Sequence, residues 1–132
     1  MSNLTYNKLN VKQRILRFLI ENKEKTFSMY ELSKYLKIDY KLLYLNVKKL
    51  EKDNIMIKED FKNQKRCSFK NGFNEDVFII ESARRSDFLK KKEFRSIYLY
   101  LKEINQQFIV LFFGSHVKGT ATKHSDIDLL VV

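Results

Sequence analysis

The sequence has no proline, no tryptophan, three glycines and one cysteine. The lone Cys67 excludes an internal disulfide framework, and because His116 and His124 stand apart, no Cys/His cluster has zinc-ligand spacing. No apolar stretch approaches the roughly 18 residues of a membrane span. The N-terminal MSNLTYNKLN lacks the apolar stretch of a signal peptide. A cytoplasmic protein with no membrane partner is the expectation. Scarce glycine and absent proline also remove the usual loop punctuation, so boundaries have to be read from periodicity and charge.

What is present is hydrophobic residue at 44% and charge at 32% over 132 residues. That is enough to bury a core, in one domain or in one small domain plus part of a second. Lys and Arg number 26 against 16 Asp and Glu, a net +10 that favours a polyanionic partner, nucleic acid ahead of an anionic membrane surface. The charge is uneven. Up to Lys70 there are 17 basic and 8 acidic residues, or +9, and beyond it 9 basic and 8 acidic, or +1. Two functional parts follow, a polyanion-binding first half and a near-neutral second.

In VKQRILRFLIEN, Val11, Ile15, Phe18 and Leu19 recur at helical spacing with charge on the remaining faces. Ser28 with Glu31 three residues on forms a capping-box pattern for a short second helix ending near Lys37, with Leu32, Tyr35 and Leu36 on one face. A third helix over about 40–53 turns Leu43, Val47 and Leu50 inward. Its outward face holds Tyr40, Lys41, Tyr44 and Lys48, and Leu42 and Leu45 are left exposed in this register. IMIKE and KRCSF then read as two strands joined by the polar stretch 60–64, a β-hairpin.

The run ELSKYLKIDYKLLYLNVKKLEKDNIMIKE resembles the winged helix-turn-helix of prokaryotic transcription regulators, over roughly residues 8–70. Lys37 and Asn54 stand where that family often has glycine. The resemblance implies duplex DNA as partner. Tyr40, Lys41, Tyr44 and Lys48 would enter the major groove, while Lys62, Lys65 and Arg66 on the wing would touch the backbone. The alternative is a protein-docking module with a solvated basic face.

NGFNED marks a boundary, and 73–85 is expected as a linker in which VFIIE is a short strand or a helix start. From 86 to 107, Phe88, Phe94, Ile97, Leu101 and Ile104 keep a largely helical period, with any break at Lys90–Lys92. FIVLFF at 108–113 is short enough for a fully buried strand, and Gly114-Ser115 follows at once. In SDIDLLVV, strand alternation places Asp126 and Asp128 on one face. Paired carboxylates suit a hard divalent cation, Mg²⁺ or Mn²⁺.

The stretch GSHVKGTATKHSDIDLLVV resembles the nucleotidyltransferases of the DNA polymerase β superfamily, in particular their minimal domains, over about residues 86–132. The resemblance implies that Gly114, Ser115, Lys118 and Ser125 belong to the triphosphate site, and that Asp126 and Asp128 are catalytic and hold the metals. An NTP would be the substrate, its NMP passing to an acceptor that is a protein, an RNA or a small molecule. The family's third carboxylate lies on a later strand, so the 132 residues read as a truncated form, itself inactive. A non-catalytic winged-helix regulator with a degenerate or truncated nucleotidyltransferase-like domain is the alternative.

The expected class is therefore α+β. It comprises three helices and a hairpin over 1–72, the linker, and then a helix and the first β-α-β portion of a nucleotidyltransferase fold over 86–132.

Overall fold

The computed structural model describes residues 9–132, apart from the side chains at positions 115 and 116. The fold is mixed α+β and divides into two compact units between Arg85 and Ser86.

The first unit opens with α1 (Val11–Glu21). Asn10 caps it by accepting from the Gln13 N–H at 2.8 Å, and the Gln13 side chain accepts from the Asn10 N–H in return, at 3.1 Å. Ile15, Leu16, Leu19 and Ile20 form its buried face. A two-residue strand β1 (Phe27–Ser28) leads into α2 (Met29–Leu36), where the Ser28 hydroxyl accepts from the Glu31 N–H at 3.1 Å. The Glu31 carboxylate does not return to the cap as a full capping box requires; it pairs with Arg66 instead, at 2.9 Å. α2 stops at Lys37, whose φ of 54° is left-handed.

Asp39 then starts α3 (Tyr40–Lys52), its carboxylate accepting from the Lys41 and Leu42 N–H groups. Leu43, Val47 and Leu50 are fully buried, and Leu42 and Leu45 face solvent.

After Asn54, also at positive φ (62°), the chain forms β2 (Met56–Phe61) and β3 (Gln64–Phe69). The connection is tighter than the 60–64 stretch that composition suggests. The strands run to Phe61 and from Gln64, leaving a two-residue turn at Lys62 and Asn63 with φ of 46° and 64°. Two consecutive left-handed residues are the mark of the type I′ turn, whose twist matches the strands. β1 pairs with β3, giving a three-stranded antiparallel sheet in the order β1-β3-β2.

Residues 73–85 are not a linker. Asn74 accepts from the Val77 N–H at 2.9 Å and opens α4 (Glu75–Leu89), which places Val77 and Ile80 in the core of the first unit. Lys12 ties the start of α4 to α1 and α3, reaching Asp76 at 2.8 Å and Asp53 at 3.4 Å, and Gln13 donates to Asp76 at 3.0 Å. Its buried residues are Val77, Ile80 and the small Ala83, too little apolar pattern for periodicity to separate from a turn-rich boundary.

The second unit begins within α4, which breaks at Lys90 and Lys91 before α5 (Lys92–Lys102). The helical period does not extend to 107; Ile104 lies beyond the helix and is exposed. β4 (Val110–Phe113), the single-turn α6 (Ser115–Lys118) and β5 (Asp128–Val131) follow. β4 and β5 pair antiparallel, from Val110 opposite Val131 to Phe113 opposite Asp128.

The rings of Phe88, Phe94 and Phe112 pack with centroids 4.1–5.4 Å apart and form the core of this unit. The 108–113 strand is shorter than expected and is not fully buried. Phe112 meets the helical rings, while Leu111, Phe113 and Leu130 are about half exposed on the opposite face. A two-stranded sheet covered by rings on one side leaves its alternate residues in water. No helix among the described residues is long and apolar enough to cross a membrane.

Candidate functional site

In the second unit the Gly-Ser turn follows directly on β4. Gly114 has φ of 85°, open to glycine without strain. A Cβ added there would overlap Asp128 Oδ2 and sit 3.2 Å from its Cγ, so the carboxylate lies against the bare glycine backbone. The register explains the approach: Phe113 and Asp128 are the last paired residues, and the chain leaves β4 at the next position. The Gly114 carbonyl accepts from the Lys118 N–H at 3.1 Å, closing the single turn of α6. Lys118 is exposed. The expected role of the Ser115 side chain lies outside the described residues.

The two carboxylates do not share a strand face. β5 starts at Asp128, so Asp126 lies in the irregular segment before it, outside the paired strand. Both are exposed. Ser125 accepts from the Thr122 N–H at 2.8 Å and its own N–H returns a bond to the Thr122 carbonyl at 3.1 Å, which folds 122–125 into a closed turn ahead of the acids. Among the described residues no group of three or more His, Cys, Asp or Glu side chains is arranged to hold a metal. What the arrangement offers is two hard oxygen ligands and a glycine turn with one of them against it.

The first unit carries a second candidate surface. Tyr40, Lys41 and Lys48 are exposed on α3, and the half-buried Tyr44 lies between cations. Lys48 Nζ is 4.7 Å from the Tyr44 ring centroid and Lys58 Nζ, from β2, is 5.7 Å away. The hydrogen bond and charge of Lys48, with smaller contributions from Lys58 and Lys65, hold the Tyr44 phenol below its ordinary value. Lys65 is exposed on β3.

Arg66 stands differently. Its guanidinium donates to Glu31 at 2.9 Å, to the Thr26 carbonyl at 2.6 Å, to the Thr26 hydroxyl at 3.1 Å and to Gln64 at 3.2 Å. It braces the hairpin against the start of α2 through these four hydrogen bonds.

Sequence reasoning missed Lys58, because strand periodicity does not say which helix a strand residue faces. It also missed the Arg66 brace, whose partner Glu31 has an alternative role at the cap. Burial pushes the Cys67 thiol up to about 11, which removes it from consideration as a nucleophile at neutral pH.

The family model of the nucleotidyltransferase domain matches residues 95–132, the segment that contains α5 from its second turn, the Gly-Ser turn and both carboxylates. The match supports a nucleotidyltransferase-like function. No curated protein and no solved structure matches the chain.

Proposed function

We propose that this chain belongs to a DNA-binding nucleotidyltransferase: a winged helix-turn-helix in the first unit, and in the second part of a metal-dependent site that, in the full-length form, transfers NMP from an NTP to an acceptor. The observation that carries the catalytic reading is the Asp128 carboxylate against the left-handed Gly114 turn, within the segment matched by the nucleotidyltransferase family. Backbone amides beside a glycine approach phosphate oxygens closely, which suits Gly114 and Ser115 to the triphosphate, with Lys118 as a further cation for it.

Asp126 and Asp128 are hard donors and fit Mg²⁺ or Mn²⁺, the remaining ligands coming from phosphate oxygens and water. The metal would neutralise charge developing on the phosphates. In the transfer, an acceptor hydroxyl oxygen bonds to the α-phosphorus, the bond from that phosphorus to the bridging oxygen breaks, and pyrophosphate leaves with the electron pair. The acceptor proton passes to solvent.

The winged-helix reading is supported by the order α1-β1-α2-α3-β2-β3 and by left-handed φ at both Lys37 and Asn54. The excess of +9 up to Lys70 and the cations around Tyr44 support duplex DNA as the partner. Tyr40, Lys41, Tyr44, Lys48 and Lys65 form its contact face, and Arg66 positions the hairpin.

Labelled-NTP transfer with several bases and acceptors tests the catalytic part. Transfer by the full-length form that falls to background in Asp126→Asn and Asp128→Asn supports it. The presence of two carboxylates, without a group of three among the described residues, favours a second reading, a regulator that binds nucleotide without turnover. Saturable Mg²⁺-dependent NTP binding with no transfer to any acceptor would select that reading.

A further inference from the structure

The first turns of α2 and α3 and the hairpin turn border an open cleft of about 300 Å³. Its walls include Tyr30 and Tyr40 from the two helices, and Asn63, Gln64 and Lys65 from the hairpin. Tyr30 is 68% exposed and Tyr40 51%. A tyrosine ring left largely in water returns little of the burial that stabilises a fold, and neither ring packs against another aromatic ring among the described residues. The core of the first unit is complete without them.

These walls combine three chemistries. Two rings provide flat stacking surfaces, the Asn63 and Gln64 amides provide donors and acceptors together, and Lys65, which makes no ion pair among the described residues, provides a cation. That set recognises an unpaired nucleotide: the rings take the base face, the amides its edge and the ammonium its phosphate. A paired base cannot use such a cleft, because its faces are covered within the duplex. The volume lies at the small end of ligand clefts, on the scale of one nucleotide.

The cleft is also continuous with the basic face. Tyr40 lines it and stands one helical turn before Tyr44, and the Lys65 charge acts on both sides, since it contributes to the lowered Tyr44 phenol.

We propose that the first unit binds DNA in which duplex adjoins an unpaired nucleotide, with the duplex along α3 and the unpaired nucleotide seated between Tyr30, Tyr40 and the hairpin turn. This rests on the DNA-binding reading above and specifies its substrate.

The test compares the full chain on a blunt duplex, on the same duplex with a short single-stranded overhang, and on an overhang carrying 2-aminopurine at the junction. The wild type should bind the overhang about tenfold more tightly than the blunt duplex, the scale of one stacked base. Binding should quench the 2-aminopurine. Tyr30→Ala should lose the preference and the quenching while blunt-duplex affinity stays within about twofold, and Tyr30→Phe should retain both.

Equal wild-type affinity for the two DNAs overturns the proposal, as does a Tyr30→Ala variant that weakens both alike. A free nucleoside monophosphate that abolishes the overhang preference at micromolar concentration would reassign the cleft to a free nucleotide and overturn it too. No binding to any DNA would sink the DNA-binding reading itself, a result distinct from blunt-duplex binding without preference.

Discussion

At the scale of single residues, two glycines with similar backbones separate strain from function. Gly114 and Gly119 have φ of 85° and 76°, and a side chain at either position costs about 1–2 kcal/mol of left-handed strain. Only at Gly114 would the added Cβ meet the Asp128 carboxylate; at Gly119 nothing lies within 4 Å. Gly114→Ala and Gly119→Ala should therefore lower stability similarly in denaturant unfolding, while calorimetric titration with Mg²⁺ and NTP should show binding weakened by Gly114→Ala alone.

The Lys12–Asp76 pair gives a pH signature. Partial burial works against the Asp76 charge, but the hydrogen bonds from Lys12 and Gln13 outweigh it and leave the carboxyl below its ordinary value. The Lys12 ammonium, bonded to Asp76, is correspondingly held above 10.5. A depressed carboxyl contributes stability that is present above its unfolded value of about 3.9 and is lost as pH falls through the lower native one. A raised ammonium contributes below its unfolded value and is lost as pH rises through the native one. Asp76→Asn should thus cost about 1 kcal/mol at neutral pH, and its unfolding curve should converge with the wild type in strong acid.

At the scale of elements, the turns carry residues poorly suited to their geometry. Lys37 ends α2 at φ 54° and Lys62 opens the hairpin turn at φ 46°, both in a region where glycine or asparagine is at ease. Lys37→Gly should raise the thermal midpoint, by about 0.5–1 kcal/mol of stability, because relief of the left-handed strain exceeds the added unfolded-state entropy. An unchanged or lowered midpoint would mean that the Lys37 side chain contributes something its exposure does not reveal.

Periodicity located α1 and α3 because each buries a stripe of Leu, Ile or Val at helical spacing, whereas α2 buries only Met29 and Leu32, leaves Tyr35 exposed, and was marked by its Ser28 cap. At 73–85 periodicity left a short strand and a helix start both open, because Val77 and Ile80 are core residues only where the rest of the first unit's core receives them, with the Asp76 to Lys12 bond fastening the start of the helix.

At the scale of the whole molecule, charge is segregated, with +9 of the net +10 lying at or before Lys70. A surface that neutralises several phosphates releases counterions, so duplex affinity should fall steeply and log-linearly with salt. Fluorescence titrations at several salt concentrations measure the slope. Lys41→Ala and Lys48→Ala should each reduce its magnitude by about one unit. A flat salt response would put a protein-docking surface in front of DNA.

Sequence by itself determined what depends on neighbours along the chain: the apolar stripes of α1 and α3, the charge asymmetry and the Gly-Ser to Asp-x-Asp spacing within the segment that the nucleotidyltransferase domain model matches. Tertiary structure decided everything that depends on residues far apart in the chain. Asp128 reaches Gly114 because β4 and β5 pair in one register, and Asp126 falls off the strand for the same reason. Arg66 becomes a brace because β1 brings Thr26 and Glu31 beside it. Tyr30 and Tyr40 border one cleft because a two-residue turn places the hairpin across two helix starts. Side-chain chemistry is written in the chain, but which groups share a surface is set by packing and strand register, and neither is a local property.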